Sequence, residues 1–389
     1  MKLAEIQEQL REARLDGWLF FDHHVRDPLA YRILGVTRTH VTRRWYYFIP
    51  ANGEARGLVH RIESRMLDEI PGEKARYSTW QEQAEGIKTL LGSARRIAMQ
   101  YSPDCAIPYV SLVDAGTVEL VRAAGAEIVS SAELVQYFEA RVDAQGRKSH
   151  FEAGRRVDPI RQQAFDLIRE KLRSGASISE IEVHNFVKGR FAESGLITDS
   201  GPIVGVNAHS GDPHYEPTLE LSLPIRHGDF VLLDMWAKLD QPGSVFYDIT
   251  WTGFCGPEPP EKIREVFEIV RDARNAGIRA VQSAIRDRKP IRGFEVDDAT
   301  RNYIKDRGFG QAFVHRTGHS ISQEIHGAGA NMDNFETHDE RRIVPGLCFS
   351  IEPGIYLQDF GVRSEIDMFV DETSASVTGE MQDALVLMD

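Results

Sequence analysis

Four carboxylates stand inside runs of residues that otherwise read as buried strands, and no other feature constrains the chain as much. Asp234 sits in Val-Leu-Leu-Asp-Met, and Asp248 in Phe-Tyr-Asp-Ile-Thr-Trp-Thr. Glu352 lies in Phe-Ser-Ile-Glu-Pro-Gly, and Glu365 in Gly-Val-Arg-Ser-Glu-Ile-Asp. Between the two pairs runs Thr317-Gly-His319-Ser-Ile-Ser-Gln-Glu-Ile-His326. A buried ionised acid is costly unless something compensates it. Four acids and a histidine suggest one shared compensator, and a pair of divalent metal ions is the natural candidate.

Strand geometry sharpens this expectation. Alternate side chains of a strand share a face. The segments carrying Asp234 and Asp248 are joined by a loop containing Asp240-Gln-Pro-Gly243, a turn signal, so a hairpin can set both carboxylates on one face. Ionised carboxylates held that close repel unless a cation lies between them. Arg363 precedes Glu365 by two, which puts those side chains on a common face where they could pair. Taken singly, an Asp at a strand end is a turn or cap residue and a lone His a structural one. The joint order Asp, Asp, His, Glu, Glu favours a metal site. Its hard, oxygen-rich donors select Mn(II), with Fe(II), Co(II) or Zn(II) also possible. Two ions about 3.5 Å apart can bridge a hydroxide and polarise a carbonyl.

A chain of 389 residues is long for one core, so two domains are expected. The polar, glycine-containing stretch 143–150 marks the boundary, giving domains 1–150 and 151–389. In the first, 1–15 reads as a helix, while 17–21, 45–49, 96–99 and 127–129 read as strands of an α/β layer. It offers no phosphate loop and no clustered nucleophile. In the second, 153–174, 178–194, 259–286 and 295–307 read as helices, with Ser177 and Glu180 as a capping box. Strands are expected at 201–206, 230–236, 245–249, 311–315, 347–351 and 365–370. The fold class is α+β, with helices packed on a curved, mostly antiparallel sheet beside a smaller α/β domain.

Residues 1–150 carry equal numbers of acidic and basic side chains, so the net charge of −13 belongs to the remainder. An acidic C-terminal part disfavours nucleic acid and anionic membrane as partners. No apolar run approaches the roughly 18 residues needed to span a bilayer. The first ten residues form an amphipathic helix pattern without a signal peptide's apolar core. Cys105, Cys255 and Cys348 are far apart and odd in number, as expected of free thiols in a cytoplasmic protein. There is no Gly-x-Ser-x-Gly elbow, and Cys348 lies in an apolar run, where a core role fits better than a nucleophilic one.

Residues 153–389 resemble the pita-bread metallopeptidases, the M24 family. The resemblance rests on Asp-Pro-His214-Tyr-Glu-Pro, the two Asp segments, Phe-Val-His315-Arg-Thr-Gly-His319, Ile-Glu352-Pro-Gly and Val-Arg363-Ser-Glu365. Asp27-Pro-Leu-Ala-Tyr-Arg-Ile-Leu-Gly35 is similar to the creatinase/prolidase-type N-terminal domain. The two-domain layout points to the aminopeptidase P/prolidase branch. The resemblance implies that Asp234, Asp248, His319, Glu352 and Glu365 are metal ligands, with Asp248 and Glu365 bridging and Glu352 also catalytic. His214 and His326 would flank the scissile bond and move protons, His315 would line the substrate pocket, and Arg363 would orient the bridging carboxylate. The implied activity is hydrolysis of short peptides at Xaa-Pro bonds by a homodimer. The pattern departs from the family at Gly327, where an acidic residue is usual, and at Ser364, where an aliphatic one is. Two competing readings are a creatinase-like C–N hydrolase that works without metal and a non-catalytic binding module. Both would be expected to lack some of the five ligands.

Overall fold

The structure, a computed structural model, describes residues 2–389, so Met1 of the expected N-terminal helix lies outside the described residues. The chain divides into two compact units, Met1–Glu139 and Ala140–Asp389.

The first unit is a six-stranded mixed sheet with helices. Its strands are β1 (Gly17–Asp22), β2 (Trp45–Pro50), β3 (Arg56–His60), β4 (Glu73–Tyr77), β5 (Arg96–Met99) and β6 (Glu127–Ser130), in spatial order β4-β3-β2-β1-β5-β6. The helices are α1 (Leu3–Glu12), α2 (Pro28–Leu34), α3 (Trp80–Leu91), α4 (Ala115–Ala123) and the short α5 (Ala132–Val135). β1 reads as an unbroken apolar run because both of its faces are covered, and all six of its residues are buried.

The second unit opens with α6 (Ala144–Ser174) and α7 (Glu180–Glu193). The polar stretch 143–150, expected to mark the domain boundary, therefore opens a 31-residue helix. Asp143 caps it by accepting the Gly146 N–H, and the fully buried His150 donates from Nδ1 to the Phe246 carbonyl. The expected capping box at Ser177 and Glu180 is absent. Ser179 is the N-cap residue and makes no side-chain cap bond, and its hydroxyl donates to Glu182 instead. The Glu180 carboxylate turns inward. It accepts the N–H groups of Val206 and Leu223, the Tyr215 hydroxyl and His209 Nδ1–H. One buried side chain thus pins the loop from 206 to 223 at both ends and in the middle.

The strands that follow are β7 (Leu196–Ile197), β8 (Ile203–Val206), β9 (Phe230–Leu239) and β10 (Tyr247–Phe254). Then come α8 (Glu261–Arg286), α9 (Gly293–Lys305), β11 (Ser320–Ile321), β12 (Cys348–Ile351), β13 (Gly354–Tyr356), β14 (Gly361–Arg363), β15 (Ile366–Val370), β16 (Ala375–Val377) and β17 (Val386–Leu387). One sheet has the order β17-β10-β9-β7 with β8 also on β9, a second β11-β12-β15-β16, and β13 pairs with β14. All these pairings are antiparallel except β10 with β17. Helices on mostly antiparallel sheets match the expected α+β class. No helix among the described residues is long and apolar enough to cross a membrane.

β9 shows how the sheet serves two purposes. Val231, Leu233, Met235, Ala237 and Leu239 pack with residues of α6 and α7 in one core. The alternate positions, Phe230, Leu232, Asp234 and Trp236, face the other way, and three of them join the core that contains α8. The strand expected at 311–315 is not formed. Gly310–Ala312 is a 3-10 turn, and the Arg301 guanidinium takes the carbonyls of Phe313 and His315 in place of a neighbouring strand.

Gly318 brings the backbone over β12. A Cβ there would stand 2.0 Å from the Ser350 carbonyl oxygen. Gly318→Ala is expected to cost about 1–3 kcal/mol or more by overpacking. Gly189→Ala, in α7 with nothing within 4 Å of the new methyl, is expected to gain about 0.5–1 kcal/mol. Urea denaturation of the two variants measures both, and equal effects would sink the argument.

Candidate metal centre

The β9–β10 register sets Asp234 opposite Thr250 and Trp236 opposite Asp248. The two acids share a face but stand diagonally, two register positions apart. Glu365 enters from the start of β15, where its N–H meets the Thr250 carbonyl and its Oε2 accepts the Thr250 hydroxyl at 2.7 Å. Glu352 follows β12, with its N–H on the Thr317 carbonyl and Oε1 on the Ser350 hydroxyl. His319 precedes β11, and its N–H donates to the Ser350 hydroxyl at 3.0 Å. Two sheets thus bring four acids and one histidine to one place. Ligand atoms of Asp248, His319 and Glu365 all lie within 4.8 Å of one another.

The electrostatics match the geometry. His319 Nδ1–H donates to the Ser320 carbonyl, which leaves Nε2 unprotonated. Nε2 faces Asp248 Oδ2 at 3.5 Å and Glu352 Oε1 at 3.4 Å. Burial lowers the imidazole pKa to about 4, against the attraction of Glu352. Burial, then Asp234, pushes Asp248 well above the usual carboxylate range, and burial, then Asp248, does the same to Glu365. Burial also raises Asp234 and Glu352, opposed by Arg363 and His319 respectively. Asp234 Oδ1 and Asp248 Oδ1 are buried with no hydrogen-bond partner among the described residues. Lone pairs converging without donors between them are what a divalent cation satisfies, and the carboxylate-imidazole set fits hard or borderline ions.

The remaining residues named from the sequence fall around this cluster. The Arg363 guanidinium is committed to Asp234, with further bonds to the Thr250 and Tyr356 hydroxyls. Its close carboxylate partner is therefore Asp234; the expected pairing with Glu365 is not made. The Tyr356 hydroxyl donates to His315 Nε2 at 2.7 Å, and His315 Nδ1–H donates to the Arg316 carbonyl. Burial holds His315 neutral, with a pKa of about 3. Beyond β11 the chain turns at Ser322–Glu324, and Gly327 N–H returns to the Ser320 carbonyl. This turn lays the His326 ring edge-on to His319, centroids 4.4 Å apart. His214 is exposed on the loop that Glu180 pins, its N–H on Asp212.

Three functional side chains escaped the sequence reading. Thr250 links Arg363 to Glu365 and lies two residues after Asp248, so same-face spacing could have found it. Asp367, two after Glu365, accepts the Asp248 N–H at 2.8 Å and is buried beside it. Tyr356 carried no signal.

The sequence profile described as metallopeptidase family M24 matches residues 150–372, more than half of the chain. The Xaa-Pro dipeptidase of Lactobacillus delbrueckii subsp. lactis is 30% identical over 214 residues, 55% of this chain and 52% of that protein. The match thus spans about half the length of that relative. Among solved structures, dipeptidase PepE of Mycobacterium ulcerans superposes with a TM-score of 0.71 at 22% identity, over 99% of this chain and 96% of that one. The Xaa-Pro dipeptidase of Bacillus anthracis gives 0.63 at 25% identity, covering 100% and 99%.

Without a cation, the raised acids share protons. Their folded pKa values exceed the unfolded ones of about 4. The folded state therefore holds extra protons above that pH, and stability falls as pH rises through the raised values. A bound cation displaces those protons and removes the loss. The gap in Tm between Mn(II)-supplemented and chelated protein is expected to widen from about pH 5 to about pH 8. Scanning fluorimetry measures it, and a gap that narrows with pH would contradict the site.

Proposed function

Because the chain belongs to metallopeptidase family M24, we propose that it is a two-metal peptidase that cuts short peptides at Xaa-Pro bonds. The observation that carries this reading is the convergence of an unprotonated His319 nitrogen and donor-less carboxylate oxygens in one buried cluster. Asp234, Asp248, His319, Glu352 and Glu365 would hold the ions. Mn(II) is the preferred ion because four of the five donors are hard carboxylates; Co(II), Zn(II) and Fe(II) are the alternatives to assay. When bound, the ions supply Lewis acidity to the scissile carbonyl and neutralise the acids around them.

The chain's own groups do the rest. Glu352, only partly buried at the edge of the cluster, would take a proton from water and return it to the leaving nitrogen. His326, held neutral chiefly by burial, offers a hydrogen bond to the substrate. His214 approaches from the pinned loop as its counterpart. His315 lines the pocket. Arg363, fixed on Asp234, holds that carboxylate at one orientation. Xaa-Pro specificity is supported by the names of the relatives. A homodimer in the cytoplasm belongs to the same proposal. The metal-free creatinase-like chemistry has no use for these orphaned oxygens, which favours the metallopeptidase.

Chelation is expected to abolish hydrolysis of a dipeptide and tripeptide library, with Mn(II) or Co(II) restoring it chiefly on Xaa-Pro members. Glu365→Gln should lose metal, by elemental analysis, together with rate. His326→Ala should keep the metal and lose about 10²–10⁴ in kcat. Full activity in metal-free protein would falsify the proposal, and metal loss in His326→Ala would reassign that residue.

A further inference from the structure

In the first unit, basic side chains gather where β1 ends and β2 begins. His23 and Arg26 follow β1, and Arg43 and Arg44 precede its antiparallel neighbour β2, so the register that pairs Asp22 with Trp45 brings the two stretches together. His60 ends β3, which pairs with β2 on its other side. With Asp114, these side chains make up the charged lining of a cavity of about 500 Å³, built wholly from the first unit. α3 starts in the same wall at Thr79 and Trp80, which adds the positive end of a helix to the field. Trp80 stands at the rim, 72% exposed.

The acids nearby are taken up by other donors. Asp114 accepts the Thr117 N–H at 2.9 Å and the Thr117 hydroxyl at 2.8 Å. Glu63 accepts the N–H groups of Thr42 and Arg43, and Glu82 those of Ser78 and Thr79. The guanidinium groups of Arg26, Arg43 and Arg44 have no ion-pair partner among the described residues, and Arg43 donates only to the Thr42 carbonyl and hydroxyl. Arg44 is half-buried, with its carbonyl held by the Tyr77 hydroxyl at 2.7 Å. His60 Nδ1 accepts the Ile62 N–H while Nε2–H donates to the Ser78 carbonyl, so that ring is neutral. Burial, then His24, Arg26 and Arg44, lower the pKa of His23. The wall thus sets three guanidinium charges against one carboxylate, an excess of two. Like charges gathered this way repel until an anion enters.

We propose that this cavity binds a small phosphate monoester carrying an aromatic ring, with the phosphate on Arg26, Arg43 and Arg44 and the ring against Trp80. A phosphate monoester carries about −1.5 to −2 charges at neutral pH, which matches the excess. A lone carboxylate would leave one positive charge unmatched. Guanidinium forks pair phosphate oxygens two at a time, which a point charge does not. The indole of Trp80 offers a flat apolar face at the mouth, on which a planar ring stacks. The volume is that of a small-molecule site and accommodates a mononucleotide. The residues involved have no part in the peptidase reading, so the site stands whether or not the chain cuts peptides.

Titration calorimetry on the full chain compares AMP, ribose 5-phosphate and adenosine, in wild type, R26Q, R44Q and W80A. Wild type is expected to bind AMP most tightly. Ribose 5-phosphate, which lacks the ring, should bind about fivefold more weakly, and adenosine, which lacks the phosphate, about tenfold or more. R26Q and R44Q should each weaken AMP about tenfold and leave adenosine unchanged. W80A should bring AMP down to the affinity of ribose 5-phosphate. Arg26 and Trp80 are exposed, so R26Q and W80A give the answer even where R44Q disturbs the fold. No binding of AMP to wild type, adenosine bound as tightly as AMP, or AMP affinity unchanged in R26Q and W80A overturns the site.

Discussion

Like charges at close quarters govern the second unit. Asp234, Asp248 and Glu365 are brought together out of water with the partly buried Glu352 beside them, and the buried Arg363 takes Asp234 directly. The desolvation of several carboxylates and their mutual repulsion oppose folding in this form. The fold can hold them because each is presented by a backbone fixed elsewhere. Asp234 and Asp248 ride a hairpin whose opposite face is core, and Glu352 and Glu365 sit at ends of strands paired in a second sheet. Raised pKa values and donor-less oxygens are the visible consequence of asking this much of one small volume.

β9 makes the arrangement economical. Its odd-numbered residues bury against α6 and α7, so its register cannot slip without exposing the core. Its even-numbered residues are therefore free to carry chemistry. Asp234, Trp236 and Lys238 run along that face as acid, aromatic and base, from the cluster to a neighbouring cavity. Because apolar burial sets the register, the acids of the cluster and the residues lining the neighbouring cavity are aligned by the same constraint.

How far the sequence revealed this depends on the kind of signal. Asp234 and Asp248 stood out because an acid in an apolar run is anomalous, and period-two spacing placed them on one face. The His319–His326 pair required a break in the strand, and the turn at Ser322–Glu324 provides it. Partner choice was less legible. Spacing allowed Arg363 to pair with Glu365, but three dimensions bring Asp234 nearer from a different sheet. The stretch 143–150 reads as a domain boundary because its residues are polar and include glycine; the burial of His150 depends on Phe246, nearly a hundred positions away. Residues 311–315 looked like a strand because apolar content was visible and Arg301, which satisfies their carbonyls, was not.

The bonds from Arg363 through Tyr356 to His315 have a direction. Arg363 donates to the Tyr356 hydroxyl, Tyr356 to His315, and His315 to the Arg316 carbonyl. Every donor points the same way, and the series starts at a guanidinium that does not give up its proton and ends at an amide oxygen that does not take one. Such a series cannot serve as a proton wire. It is a dipolar strut, which transmits the positive field of Arg363 along one side of the cleft while leaving every hydrogen where it is.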